Sequence, residues 1–168
     1  MGFFNKMKNL KNKSDDKQGV VPFEDFKLIM KPYIVDGIYS IGIPVGWNVF
    51  ESDRFRCKTE DEKTQMSITN WNIDNPSSNE DELRSRVLPL YDKYVDEGGY
   101  VPYDDFFINE NQISKSFKVD NETQYFLTTI NAIGGKTVLS SFIIHDIGTY
   151  DPQMRATLLN IVATMQFR

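Results

Sequence analysis

From Tyr39 to Val45 every second residue is large and apolar: Tyr39, Ile41, Ile43 and Val45. A period of two predicts a strand with one buried face, and Pro44 and Gly46 predict its end, with Trp47 at the turn. In the next run Phe55, Cys57 and Thr59 alternate with Arg54, Arg56 and Lys58, which predicts a half-buried strand with Cys57 pointing inward. The charged stretch at 60–63 predicts a turn. Residues 64–73 then return as a strand, with Met66 and Ile68 on one face but Trp71 and Ile73 on the other. That change of parity predicts a bulge near Thr69 and Asn70. Residues 20–36 fit two patterns. Phe26, Leu28 and Met30 alternate as in a strand, while Phe23, Phe26 and Met30 fit a short helix between Pro22 and Pro32.

The period then changes. Ser77, Ser78 and Asn79 are each followed three residues later by an acid, which is the signature of a helix start. Leu83, Val87, Leu90, Tyr91 and Tyr94 form the apolar stripe, Pro89 predicts a kink or a split, and Gly98 and Gly99 predict the end. An aromatic connection, Tyr100 to Phe107, leads into a meander. Residues 113–119 alternate, Asp120 and Asn121 turn the chain, and residues 122–132 run back to a hairpin turn at Gly134 and Gly135. The next strand is apolar on both faces, with Val138, Phe142 and Ile144 against Leu139 and Ile143, and so predicts a central position. Asp151 followed by Pro152 opens a last helix whose stripe is Met154, Leu158, Ile161, Val162 and Met165.

The order is three strands, a helix, three strands, a helix. Strands in hairpin runs predict an α+β fold: a largely antiparallel sheet of about six strands with helices packed on it. Residues 1–19 read as a flexible basic segment and residues 20–168 as a single domain.

Charge sharpens this division. The chain of 168 residues is net −5, yet its first twenty residues hold five lysines against two aspartates. That surplus of three positive charges leaves the rest eight below neutral, a poor match to a phosphate backbone, so no nucleic-acid partner is expected. The single cysteine rules out an internal disulfide. The N-terminus lacks an apolar signal core, so the expected location is the cytoplasm. Phe3, Phe4, Met7 and Leu10 follow a helical spacing among lysines. Residues 1–13 therefore fit either weak membrane-surface contact or a solvated tail.

Little in the chain points to catalysis. His145 is the lone histidine, and a dyad with Cys57 would need both within hydrogen-bond reach and open to substrate. The metal-binding spacings are missing, and the acidic runs at 60–62 and 104–105 read as solvated loops. The glycine–lysine–threonine run at 134–137 lacks the first glycine of a phosphate loop, because position 130 is Ile130. No catalytic residue, metal or cofactor is expected. What remains is aromatic surface. Tyr100, Tyr103 and Phe106 crowd one loop beside acids, and Trp71 stands in a polar stretch. These are the candidate residues for contact with a protein partner.

The strand ending in Pro44, Val45, Gly46 and Trp47, then a hairpin, a helix after a polar loop, a three-strand meander and a closing amphipathic helix together resemble the PsbP-like fold over residues 33–168. That group includes photosystem PsbP subunits, a Ran-binding nuclear transport factor, DcrB-type lipoproteins and the Eag adaptor chaperones of type VI secretion. The resemblance implies an α/β/α sandwich and a role in binding or assembly rather than catalysis. No lipobox cysteine is present, since Cys57 lies inside a strand. The expectation is a non-catalytic protein-binding module of a bacterial cytoplasm: an adaptor, a chaperone or an immunity-type protein. A small carboxylate-based hydrolase and a membrane-surface protein are the alternatives. An open sheet face would invite homodimerisation.

Overall fold

In a computed structural model, residues 28–50, 52–103 and 107–168 are described. The amphipathic N-terminal pattern, Phe26 and Phe106 lie outside these residues.

The fold is α+β and mostly antiparallel. Eleven strands are present among the described residues, not about six. Eight of them form one large sheet. β3 (Trp47–Phe50), β4 (Phe55–Thr59), β5 (Thr64–Ile73), β10 (Lys136–Ile147), β9 (Glu122–Ile133), β8 (Gln112–Val119) and β6 (Val101–Pro102) follow in that spatial order, and β7 (Phe107–Asn109) also pairs with β8. A separate three-stranded sheet has the order β1 (Met30–Val35), β2 (Tyr39–Pro44) and β11 (Gln166–Phe167). The five extra strands are the short β6, β7 and β11, β1 from the stretch whose pattern was ambiguous, and β3, which starts at Trp47 where a turn was expected.

β10 is central, as its two apolar faces predict. It pairs with β9 along its whole length from Lys136 to Ile147, and with β5 from Thr137 to Asp146. The hairpin between β9 and β10 turns on Gly134 and Gly135, both with positive φ, which matches the right-handed twist of the flanking strands. Alternate residues of β9 and β10 then enter two separate cores. Tyr125, Leu127, Phe142 and Ile144 pack with Val35, Tyr39, Ile41 and Ile43 of the small sheet and with Leu158, Ile161 and Val162 of α2 (Pro152–Ala163). Phe126, Ile130 and Leu139 point the other way, into a core with Leu83, Val87 and Tyr91 of α1 (Asn79–Asp96) and with Ile113 and Phe117 of β8. One sheet face is thus covered by the small sheet and α2, and the other by α1.

The parity change in β5 has a different cause from the predicted bulge. The ladder from Thr64 to Ile73 runs without interruption against β10. Met66 and Ile68 are buried under the small sheet, whereas Ile73 is buried under α1. The strand stays regular and its cover changes sides. Asn70 sits where the cover changes and serves as a polar tie between the sheets. Its side-chain oxygen accepts from Tyr39 Oη at 2.9 Å and Ser140 Oγ at 2.6 Å, while its nitrogen donates to Asp36 at 2.7 Å. Burial pushes the Tyr39 hydroxyl up to about 12, so it remains a donor in this network. Gly42 allows the small sheet to approach the end of α2: a Cβ there would lie 2.9 Å from Met30 Cβ and 3.1 Å from Thr164 Oγ1, and the Gly42 N–H donates to that hydroxyl.

α1 begins at Ser78, whose hydroxyl caps Asp81 N, and it passes through Pro89 as one helix, without the split that Pro89 suggested. Glu82 braces the start. It accepts from Ser77 N and Oγ, both at 2.9 Å, and from Arg86 Nε at 2.6 Å. The bond from Arg86, followed by those from Ser77, lowers its carboxyl from the usual 4.5 to about 2. α2 opens on Asp151, which accepts from Gln153 N, with Pro152 in the first turn.

Two measurements check this packing. Leu83→Ala, at a fully buried anchor of α1, is expected to cost about 3 kcal/mol in urea unfolding; a cost near zero would mean that α1 does not hold this core. Because the folded Glu82 carboxyl lies below its unfolded value, its contribution is complete above about pH 4.5 and lost as pH falls toward about 2. Glu82→Gln is therefore expected to be less stable than the parent near neutrality and to lose less stability across that acid window. Parallel pH profiles for the two proteins would contradict this.

Candidate functional site

The aromatic residues that suggested a contact surface do not share one face. Tyr100 is half-buried and stacks on Tyr94 with centroids 5.1 Å apart, and it meets Phe117 edge-on at 5.8 Å, within the core beneath α1. Tyr103, three residues on, belongs to the opposite side. It packs on Tyr150 at 5.4 Å, and Tyr150 packs in turn on Tyr125 of the other core. The short strand β6 separates them at the sheet edge. Phe106 is outside the described residues. Trp71 lies far along β5, opposite Leu139 in register, with 48% of its surface exposed.

Trp71 does have neighbours of its own. α1 packs over β8, β9 and the Leu139–Ile73 end of β10 and β5, and among the described residues the rest of the outward face of β4, β5 and β10 beside it has no covering element. Between helix and strip lies a groove of about 410 Å³, lined mainly by Trp71, Val87, Leu90, Tyr94, Phe126 and Leu139. Leu90, expected in the buried stripe, is 47% exposed here because it sits on the flank of α1 facing the groove rather than the core. This role of Leu90 was hidden in the sequence, where an apolar residue at helical spacing looks the same on either flank of the stripe.

The groove continues into a second hollow of about 450 Å³ along the same face, lined by Arg54, Arg56, Lys63, Ser67, Ile143 and His145, with Glu62 and Glu122 at its rim. The registers place Arg56, Ser67 and Ile143 side by side across the three strands, with Lys58, Gln65 and His145 in the next row on the same face. The alternation of Arg54, Arg56 and Lys58 with Phe55 and Cys57 was the sequence signal for this strip. Asp53 accepts from both Arg54 and Arg56, and the Ser52 hydroxyl and the Arg54 guanidinium hold its carboxyl below the usual range. Glu62 pairs with Lys58, and Glu122 accepts from Gln124 at 2.6 Å and lies 3.1 Å from His145 Nδ1. Glu62 is thus engaged as a charge partner and Glu122 as a hydrogen-bond acceptor.

The nucleophile candidates are kept apart. Cys57 is fully buried among Met66, Val49 and Ile144 on the small-sheet side, and burial pushes its thiol up to about 12. His145 points from the opposite face of β10, next to Gln65. The sheet itself lies between them, so no dyad forms. Among the described residues no three His, Cys, Asp or Glu side chains gather as a metal site. Asp146 is raised by burial, and it accepts from Thr64 Oγ1 on the Cys57 side of the sheet.

The high thiol value has a direct consequence, since the thiolate is the reactive form. At pH 8 the folded protein is expected to react with a thiol reagent far more slowly than it does in denaturant, by a factor of at least about 100. Native labelling as fast as in the unfolded chain would mean that Cys57 is not sealed in this core.

No protein-family model matches this chain, and no curated protein does.

Proposed function

We propose that this protein is a non-catalytic binding module that docks a protein partner on the uncovered half of its sheet, beside α1. The groove between Trp71 and Leu90 carries the proposal. Two large apolar side chains stand half-exposed on either side of a hollow whose floor, Leu139 and Phe126, is part of the core. An aromatic residue at the rim of a preformed apolar hollow is the usual anchor of a protein interface. A partner side chain inserted there would be buried against rigid strands at little ordering cost.

Two further observations support binding over catalysis. Cys57 and His145 lie on opposite faces of the sheet, and of the carboxylates at the cationic end Glu62 is paired with Lys58 while Glu122 accepts from Gln124. The proposal keeps the PsbP-like reading for the two helices on opposite sides of the large sheet; the second, three-stranded sheet beside α2 is a feature that an α/β/α sandwich does not supply. In that reading the role is an adaptor, a chaperone or an immunity-type protein in a bacterial cytoplasm. No helix among the described residues is long and apolar enough to cross a membrane.

Within this proposal Trp71 is the anchor, Tyr100 supports α1 from the core, and Tyr103 on the other face is a control. The test is a pull-down from native lysate with the parent, Trp71→Ala and Tyr103→Ala side by side, read by mass spectrometry. The partner is expected in stoichiometric amount with the parent and Tyr103→Ala. With Trp71→Ala its affinity should fall by about 2 kcal/mol, roughly thirtyfold, while the melting temperature is unchanged. A partner retained by Trp71→Ala, or no stoichiometric partner for the parent, would overturn the proposal.

A further inference from the structure

The uncovered strip has the size and chemistry to specify what lies on it. Three adjacent strands spaced about 4.8 Å apart give a strip about 14 Å wide. A helix with its side chains is about 10–12 Å across, so the strip holds one more helix alongside α1. The apolar positions run the length of β10 and its neighbours: Leu90 and Trp71 at one end, Ile143 in the middle, and Ile147 at the other.

Among the described residues the three cations of the second hollow, Arg54, Arg56 and Lys63, have one ion-paired carboxylate between them. Arg54 and Arg56 share the single carboxylate of Asp53. Arg56 Nε is buried with no hydrogen-bond partner among the described residues, which leaves a costly orphan donor. Lys63 makes no ion pair among the described residues, although Asp61 lies near it, and Glu62 is held by Lys58. Cations with bonding capacity to spare thus line this strip of a chain that is net −5.

Resting on the docking surface proposed above, we infer that its occupant is an amphipathic helix of a partner protein with an apolar face flanked by aspartates or glutamates. Its apolar side chains fill the groove at Trp71 and lie over Ile143, and its carboxylates reach Arg54, Arg56 and Lys63. Carboxylate–guanidinium bonds are bidentate and charge-assisted, and they fall on the exposed terminal nitrogens of Arg54 and Arg56. A broad polyanion such as a membrane surface or a nucleic acid fits less well, because it would also meet the exposed carboxylates Asp92 and Asp96 of α1. A single helix is narrow enough to avoid them.

The test titrates the full chain with a synthetic helix of about four turns that has leucines on one face and glutamates along both flanks. The same helix with lysines on the flanks and vesicles of phosphatidylglycerol are run beside it. Binding is read by calorimetry and by amide chemical shifts. The glutamate helix is expected to bind saturably, at least tenfold more tightly than the lysine helix, and to move the signals of β4, β5 and β10. Arg54→Glu combined with Arg56→Glu should reverse that preference. Should the reversed protein fail to fold, Arg54→Gln combined with Arg56→Gln should bring the two helices to equal affinity. Equal or lysine-favouring binding to the parent, no saturable binding, shifts confined to the other sheet face, or competition by the vesicles would overturn the assignment. If the reversed variant keeps its cellular partner while Trp71→Ala loses it, the docking surface stands and the acidic helix does not.

Discussion

The constraint on which the fold depends is that β10 and β9 are apolar on both faces. A twelve-residue antiparallel pair with large side chains alternating up and down cannot lie at a surface; it needs a layer above and a layer below. On one side the demand is met by a second sheet and α2, which seal Tyr125, Leu127, Phe142 and Ile144 completely. On the other side one helix is available among the described residues. α1 covers β8, β9 and the Leu139–Ile73 end of β10 and β5, and leaves the rest of β4, β5 and β10 beside it open. The open strip is thus a result of counting cover elements against apolar faces, and the groove at Trp71 is the boundary between covered and uncovered sheet.

This division explains how polar groups are placed. Where the cover is complete, hydroxyls and amides close on one another, as Tyr39, Asn70, Ser140 and Asp36 do between the two sheets. Where it is missing, the strands carry Arg54, Arg56, Gln65, Ser67, Thr69 and His145, side chains that tolerate water. A wholly polar strip would be an ordinary solvated face. Exposed Trp71 and Ile147 and half-buried Ile143 interrupt this polar face, and they are the side chains on which the proposed docking rests.

Long strands and both helices were legible in the sequence because each spans several repeats of its period. The two apolar faces of residues 136–147 revealed the central strand, and Asp151 with Pro152 marked the start of α2. β6 and β11 are two residues long and β7 three, too short to show any period, so half the connection after α1 read as loop. The parity change at Trp71 and Ile73 was visible, but its meaning depends on which layer covers each half of β5, which is a tertiary fact. The placement of the tyrosine loop is likewise a tertiary fact. Tyr100 and Tyr103 are neighbours in the chain, yet β6 sends them to opposite faces of the sheet. Trp71 was legible as a candidate; its partner in the groove, Leu90, was not, because helical spacing alone does not tell the flank of a stripe from its centre.

Beyond the Leu139–Ile73 end, the outward face of β4, β5 and β10 should be open to solvent in the free protein. Solvent paramagnetic relaxation, measured by NMR on the full chain, tests it most directly. A soluble relaxation agent should broaden side-chain signals of Trp71, Ser67, Thr69 and Ile143 strongly, while Met66, Ile68 and Phe142 on the reverse face stay sharp. If Trp71 and Ile143 are as protected as Met66, something within the chain already covers this face, and the account of an open docking strip is wrong.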